Sequence, residues 1–225
     1  MASQHWQLDL KGRDLPRFIA VEGPIGVGKT SLTKQLAQSF NYASLLEQAE
    51  DNPFLERFYG NQRNAALATQ LFFLFQRMQQ LNELHQGDMF APVRVADFLI
   101  DKDQLFAEVT LDADELQLYR QVYDHLVIDA PTPDLVVYLQ APSDTLIERI
   151  QKRGIAAEQN ISADYLNLLN DAYTRFFHYY DAAPLLIVNA VDIDWINSAD
   201  DYRNLVDYML SIRSGRHYYN PKASL

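Results

Sequence analysis

At 225 residues and 48% hydrophobic, the chain can bury one substantial core, and its length suits a single domain spanning 1–225 better than two. Cysteine is absent, which excludes disulfides and thiolate metal sites and is compatible with a reducing cytoplasm. A formal charge of −11 excludes a basic nucleic-acid-binding face, and the lack of both a long apolar run and a signal-like opening points away from a membrane partner.

In chain order, the first strand is expected at 17–23, "RFIAVEG". The stretch "VEGPIGVGKTSL" (21–32) then places three glycines and a lysine between that strand and a helix. A second strand at 43–48, "ASLLEQ", runs into the acids Glu47, Glu50 and Asp51. The long helix at 64–85 carries Leu67, Leu71, Leu74, Phe75, Met78 and Leu81 as its core stripe. A third strand is expected at 93–98, a helix at 113–126, a fourth strand at 134–141, helices at 143–153 and 162–180, and a fifth strand at 184–190. Ser143 and Ser162 are the expected caps of the last two helices. The tail, 214–225, reads as frayed. Five apolar strands alternating with helices predict an α/β fold whose parallel sheet is covered by helices on both faces, because strands covered twice tend to be apolar throughout.

Gly23-x-x-x-x-Gly28-Lys29-Thr30 lies between strand and helix, the context in which this pattern cradles a nucleoside triphosphate. The loop of Gly23, Pro24, Ile25, Gly26, Val27, Gly28, Lys29, Thr30 and Ser31 would surround the phosphates, with backbone N–H groups from every residue but Pro24. Lys29 would reach the β and γ oxygens, and the Thr30 hydroxyl can ligate Mg²⁺. An acceptor would then sit at the carboxyl ends of the other strands. Glu47 stands there, either as a base for an attacking hydroxyl or as part of a solvated acidic loop. Gln70 and Arg77, seven residues apart, lie about 20° from one another on one helical face, with Phe73 between them. That set can hydrogen-bond and stack a base, or it can be the polar side of an amphipathic helix. Arg149 and Arg153 are one turn apart before Gly154, suited either to closing over a transferring phosphoryl group or to surface ion pairing.

Together these pieces resemble the deoxynucleoside kinase family, in particular its bacterial deoxyadenosine and deoxyguanosine kinase branch. The resemblance runs from about residue 17 to residue 190 through "EGPIGVGKTSL", "LLEQAEDNPFLERFY", "TQLFFLFQR", "DFLIDKDQLFA" and "PDLVVYLQA…LIERIQKRG…E". It implies the P-loop kinase fold with five parallel strands, a homodimer, ATP as phosphoryl donor with Mg²⁺, and a deoxynucleoside acceptor, purine favoured. It further implies that Glu47 is the base for the 5′-hydroxyl, that Gln70 hydrogen-bonds the base, and that Arg77 lies near both. Tyr59 and Glu158 would contact the sugar 3′-hydroxyl, and Arg149 and Arg153 would belong to a lid at about 149–160. Many relatives carry an acid-Arg-Ser triplet after the third strand; here Asp97 keeps the acid, toward metal and acceptor, but Phe98 stands where the arginine would be. Lys102, five residues on, is a partial substitute, since an ammonium does not reproduce a guanidinium fork.

Two other functions are open to such a chain. A nucleoside monophosphate kinase would share loop and lid, but the acidic "EQAEDNPFLE" favours a neutral acceptor over a charged one. A non-catalytic subunit of the same family need not retain Lys29, Glu47, Arg149 and Arg153 together.

Overall fold

The apolar run that opens the core forms β1 (Phe18–Glu22), and alternate residues of it serve opposite faces. Ile19 and Val21 join one hydrophobic cluster, while Phe18 and Ala20 join those on the other side. The same split recurs in β4 (Leu135–Gln140) and β5 (Leu185–Asn189), which accounts for their continuous hydrophobicity. The computed structural model describes residues 6, 8–60, 63–87, 93–126 and 130–221.

The remaining elements are α1 (Lys29–Phe40), β2 (Ala43–Leu45), α2 (Leu55–Tyr59), α3 (Ala66–Gly87), β3 (Arg94–Ala96), α4 (Lys102–Thr110), α5 (Ala113–Leu126), α6 (Ser143–Arg153), α7 (Ala163–Tyr179), α8 (Ala199–Met209) and β6 (Arg216–Tyr219). The sheet runs β2-β3-β1-β4-β5-β6, parallel throughout. Because β1 pairs with β3 on one side and β4 on the other, the chain changes direction across the sheet beside β1, and its carboxyl end faces the crevice where such sheets hold ligands. Residues of α1, α6 and α8 cover one face; α3, α4 and α5 cover the other together with most of α7.

Five expectations need correction. The sheet has six strands, not five, and the tail is not frayed over 216–219: Arg216–Tyr219 pairs with Leu185–Val188. The Arg216 guanidinium also donates to the carbonyls of Phe177 and His178 at 3.0 and 2.7 Å, satisfying the end of α7. Its polar, alternately exposed "RHYY" gives an edge strand no apolar signature. Residues 222–225 of that tail, like 1–5 and 7 of the opening, lie outside the described residues. Phe75 is 53% exposed, because it stands about 80° around the helix from Leu67 while Leu74, Met78 and Leu81 stay buried. Ser143 makes no cap bond and lies just inside α6 after Pro142, whereas Ser162 does cap α7 by accepting the Tyr165 N–H. The second strand stops at Leu45, so that Glu47 lies in the loop beyond the sheet.

Candidate active site

The phosphate loop is threaded between β4 and α6. Gly23 has φ +148, and a Cβ there would stand 2.4 Å from the Leu139 carbonyl oxygen, so the loop can pass β4 only without a side chain. Gly26, at φ +84, abuts Ile150 of α6 in the same way, at 2.8 Å. Lys29 turns its ammonium back onto the loop, donating to the carbonyls of Gly23 at 2.8 Å and Pro24 at 3.2 Å. Burial, then the nearby Lys102, lowers its pKa to about 8 against the opposing pull of Glu22 and Asp97.

Asp97, at the end of β3, ties the two halves together. Its carboxylate accepts from the Thr30 hydroxyl at 2.6 Å and from the backbone N–H of Glu47 at 2.7 Å. Burial raises its pKa, opposed by the Thr30 bond, Lys29 and Lys102. The Glu47 carboxylate is ion-paired with Arg77 and lies 3.9 Å from the Lys102 ammonium. Arg77 spans from Glu47 to a second ion pair with Asp103, with the Phe73 ring centroid 5.2 Å from its guanidinium carbon. Gln70 is buried on the same helix and donates to the Thr110 hydroxyl at 3.3 Å.

Across the cavity, Glu158 pairs with Arg153, and Tyr59 stacks edge-on to Tyr165 at 6.3 Å. Burial, then Tyr165 and Glu158, holds the Tyr59 phenol well above its usual pKa. Arg149 donates to the Val27 and Ala190 carbonyls at 3.1 and 2.7 Å. A single cavity of about 770 Å³ is lined by Lys29, Thr30, Glu47, Gln70, Arg77 and Glu158 among others. Ile25, Gly26, Gly28, Ser31, Tyr59, Asp97, Arg149 and Arg153 also line it, while Gly23, Pro24 and Val27 stand behind, offering carbonyls to Lys29 and Arg149.

The family model for deoxynucleoside kinases matches residues 19–212, nearly all of this framework. The chain belongs to the deoxynucleoside kinase family. It is an enzyme of deoxynucleoside salvage, a nucleotide-binding kinase whose phosphoryl donor is ATP. This kinase is 39% identical over 180 residues to the deoxyguanosine kinase of Bacillus subtilis, covering 79% of this chain and 86% of that one. To the deoxyadenosine/deoxycytidine kinase of the same organism it is 28% identical, over 90% and 97% of the two chains. The solved structure of deoxyadenosine kinase from M. mycoides with bound dATP superposes with a TM-score of 0.73 at 25% identity, covering 86% of this chain and 99% of that one. The kinase therefore has the P-loop kinase fold, extended here to six strands. Among its described residues, no helix is long and apolar enough to cross a membrane.

Two residues of the kinase's site escaped the sequence reading. Glu22, wholly buried, accepts from the Gly23 N–H at 2.8 Å, the Leu99 N–H at 2.9 Å and the Tyr173 hydroxyl at 2.9 Å, and pairs with Lys102 at 3.3 Å. A carboxylate ending an otherwise apolar strand was the available signal, since burying a charge demands partners. Asp103, which anchors Arg77, gave no signal; only the packing of α4 against α3 brings the two together.

Proposed function

We propose that the kinase transfers the γ-phosphoryl of Mg²⁺-bound ATP to the 5′-hydroxyl of a purine deoxynucleoside, with Glu47 as the base. One observation carries this reading: the Asp97 carboxylate bonds at once to the hydroxyl of the phosphate loop and to the backbone of Glu47, setting donor and acceptor groups on either side of one residue. The cavity has room for a nucleoside beside the loop, and Glu47, Glu50, Asp51 and Glu158 in its wall favour a neutral acceptor over a monophosphate.

In this reading Gln70 and Arg77 hold the base, while Tyr59 and Glu158 hold the sugar 3′-hydroxyl. Glu47 takes the proton of the 5′-oxygen as that oxygen bonds to phosphorus and the bond from phosphorus to the departing ADP breaks. Lys29 leaves the carbonyls of Gly23 and Pro24 for the phosphates. Arg149 and Arg153, in a lid of residues 149–160, meet the charge on the transferring group. Thr30 and Asp97 present hydroxyl and carboxylate oxygens within 2.6 Å of each other, the hard donors Mg²⁺ takes, and are the residues that would hold it. When bound, the ion neutralises charge on the β and γ oxygens.

The relatives' names support the acceptor class, the 39% identical protein being a deoxyguanosine kinase. The chain works in the cytoplasm as one domain and as a homodimer. Helices α3 and α5 pack together and each carries an exposed apolar residue, Phe75 and Leu118, which suits a face shared with a second copy. Turnover with the four deoxynucleosides and their monophosphates, ATP and Mg²⁺ tests the reading. Phosphorylation of the purine deoxynucleosides is expected, and a preparation that accepts only monophosphates would overturn it.

A further inference from the structure

A cation beside the attacking oxygen would offset the charge that develops during transfer, and the two residues that follow Asp97 supply none. Phe98 and Leu99 are buried and uncharged, and Leu99 spends its N–H on Glu22. Apart from exposed Lys34, the cations lining the cavity are Lys29, Arg77, Lys102, Arg149 and Arg153. Lys29, Arg149 and Arg153 belong to the phosphate side in the reading above, which leaves Arg77, bridging Glu47 and Asp103, and Lys102 on the side of the attacking oxygen.

Lys102 is placed differently. It opens α4, is 1% exposed, and sets its ammonium 3.3 Å from Glu22 at the root of the phosphate loop and 3.9 Å from the Glu47 carboxylate. An oxygen hydrogen-bonded to that carboxylate comes within reach of the same ammonium. We propose that Lys102 is a catalytic residue of this kinase, a fixed cation that contacts the 5′-oxygen and the incoming phosphoryl group during transfer. The inference rests on the phosphotransfer reading above and extends it to a residue on a different element. Lys102 exchanges no proton: the 5′-oxygen gives its proton to Glu47, the new oxygen–phosphorus bond forms, and ADP leaves, while the ammonium offsets the negative charge that gathers between Glu47 and the phosphates. Being held by Glu22, it is already oriented before substrate arrives, so the charge costs no reorganisation during the step.

The competing role is a counterion that merely neutralises buried Glu22. Three variants separate the two: Lys102→Met, Lys102→Arg and the double variant Glu22→Gln/Lys102→Met, each followed by thermal melting, ATP affinity, and kcat and KM for the deoxynucleoside. Lys102→Met is expected to lose about 10²-fold in kcat, with ATP affinity and nucleoside KM within about threefold of the parent. Lys102→Arg should retain more turnover than Lys102→Met, and the double variant should regain thermal stability but not turnover. Recovery of turnover in the double variant, or a Lys102→Met kcat within about threefold of the parent, would reduce Lys102 to a counterion. A measurement on the unaltered enzyme decides the matter even where variants do not fold. In a crystal structure with ADP, aluminium fluoride and the deoxynucleoside, the Lys102 Nζ should lie within about 3.2 Å of the 5′-oxygen or a fluoride; separation by a full residue diameter would overturn the proposal. Failure of the unaltered enzyme to phosphorylate any deoxynucleoside refutes the phosphotransfer reading itself, a result distinct from all of these.

Discussion

Glu47, Arg77 and Asp103 form a line of alternating charge from the cavity into the protein, and each link constrains the next. Glu47→Gln keeps the shape of the side chain but removes the proposed proton acceptor. Turnover should fall about 10²-fold or more while ATP binding, followed by titration calorimetry, stays intact. Near-normal turnover would move the base elsewhere, to Glu50 first. Asp103 supplies a pH signature. Burial pushes its carboxyl up to about 6, against the pull of Arg77 and Lys102 and with Glu22 and Asp101 reinforcing the rise. A folded pKa above the ordinary 3.8 means that the folded state holds a proton which the unfolded chain has released between those two values. Its contribution to stability is therefore fullest below 3.8 and is lost as pH rises through 6. Function runs the other way, because a neutral Asp103 releases one end of Arg77. Nucleoside KM should rise as pH falls below about 6, and Asp103→Asn should abolish that inflection while raising KM at neutral pH. A KM profile identical in the two proteins would sever Asp103 from nucleoside binding.

Helix α6 carries both Arg149 and Arg153, the arginines proposed for the lid, and ends at Gly154 in a left-handed conformation. The next residues form a short 3₁₀ turn, Ala156–Asn160, that buries Glu158 against the nucleoside side of the cavity. The helix thus touches the phosphate loop through Arg149, and the turn after it lines the cavity through Glu158, proposed for the sugar. In the proposed role the charge that the arginines meet develops during transfer, so Arg149→Ala and Arg153→Ala should each lower kcat more than nucleoside affinity, by about 10-fold or more. Arg153→Ala also strips Glu158 of its ion pair and should raise nucleoside KM more than Arg149→Ala does. Steady-state kinetics on the two variants would show it, and identical KM values would dissociate Glu158 from the lid.

Across the whole molecule, the candidate site gathers beyond the carboxyl ends of β1, β2 and β3, and β6 lies at the opposite edge of the sheet, outside the cavity lining. Deleting residues 214–225 uncovers the edge of β5 and removes the bonds from Arg216 to the end of α7. It also removes the contact between Tyr208 and Tyr219, whose rings lie 5.4 Å apart. The truncated chain should melt several degrees lower, as about 1–2 kcal/mol would do for a domain of this size, with kcat little changed. An unchanged melting temperature would make β6 incidental to the fold.

By itself the sequence determined what short-range chemistry can dictate. Doubly covered strands must be apolar, a phosphate loop must have glycine where backbone crowds it, and helix α3 had to present one apolar stripe, so sheet, loop and long helix were all legible. Lys29 could be named from its place in the loop, whereas for Glu47, Gln70, Arg149 and Arg153 spacing left an ordinary structural reading open and their roles were implied by the family resemblance. Tertiary structure alone decided which charges face each other. Lys102 and Glu22 are 80 residues apart, and their pairing exists only because α4 begins beneath the end of β1. Asp97 reaches 50 residues back to Glu47 because β3 lies between β1 and β2. The polar strand β6 became a strand because β5 offered an unpaired edge. In each case the partner is selected by how the layers pack, and a buried charge carries no local mark of which distant group will satisfy it.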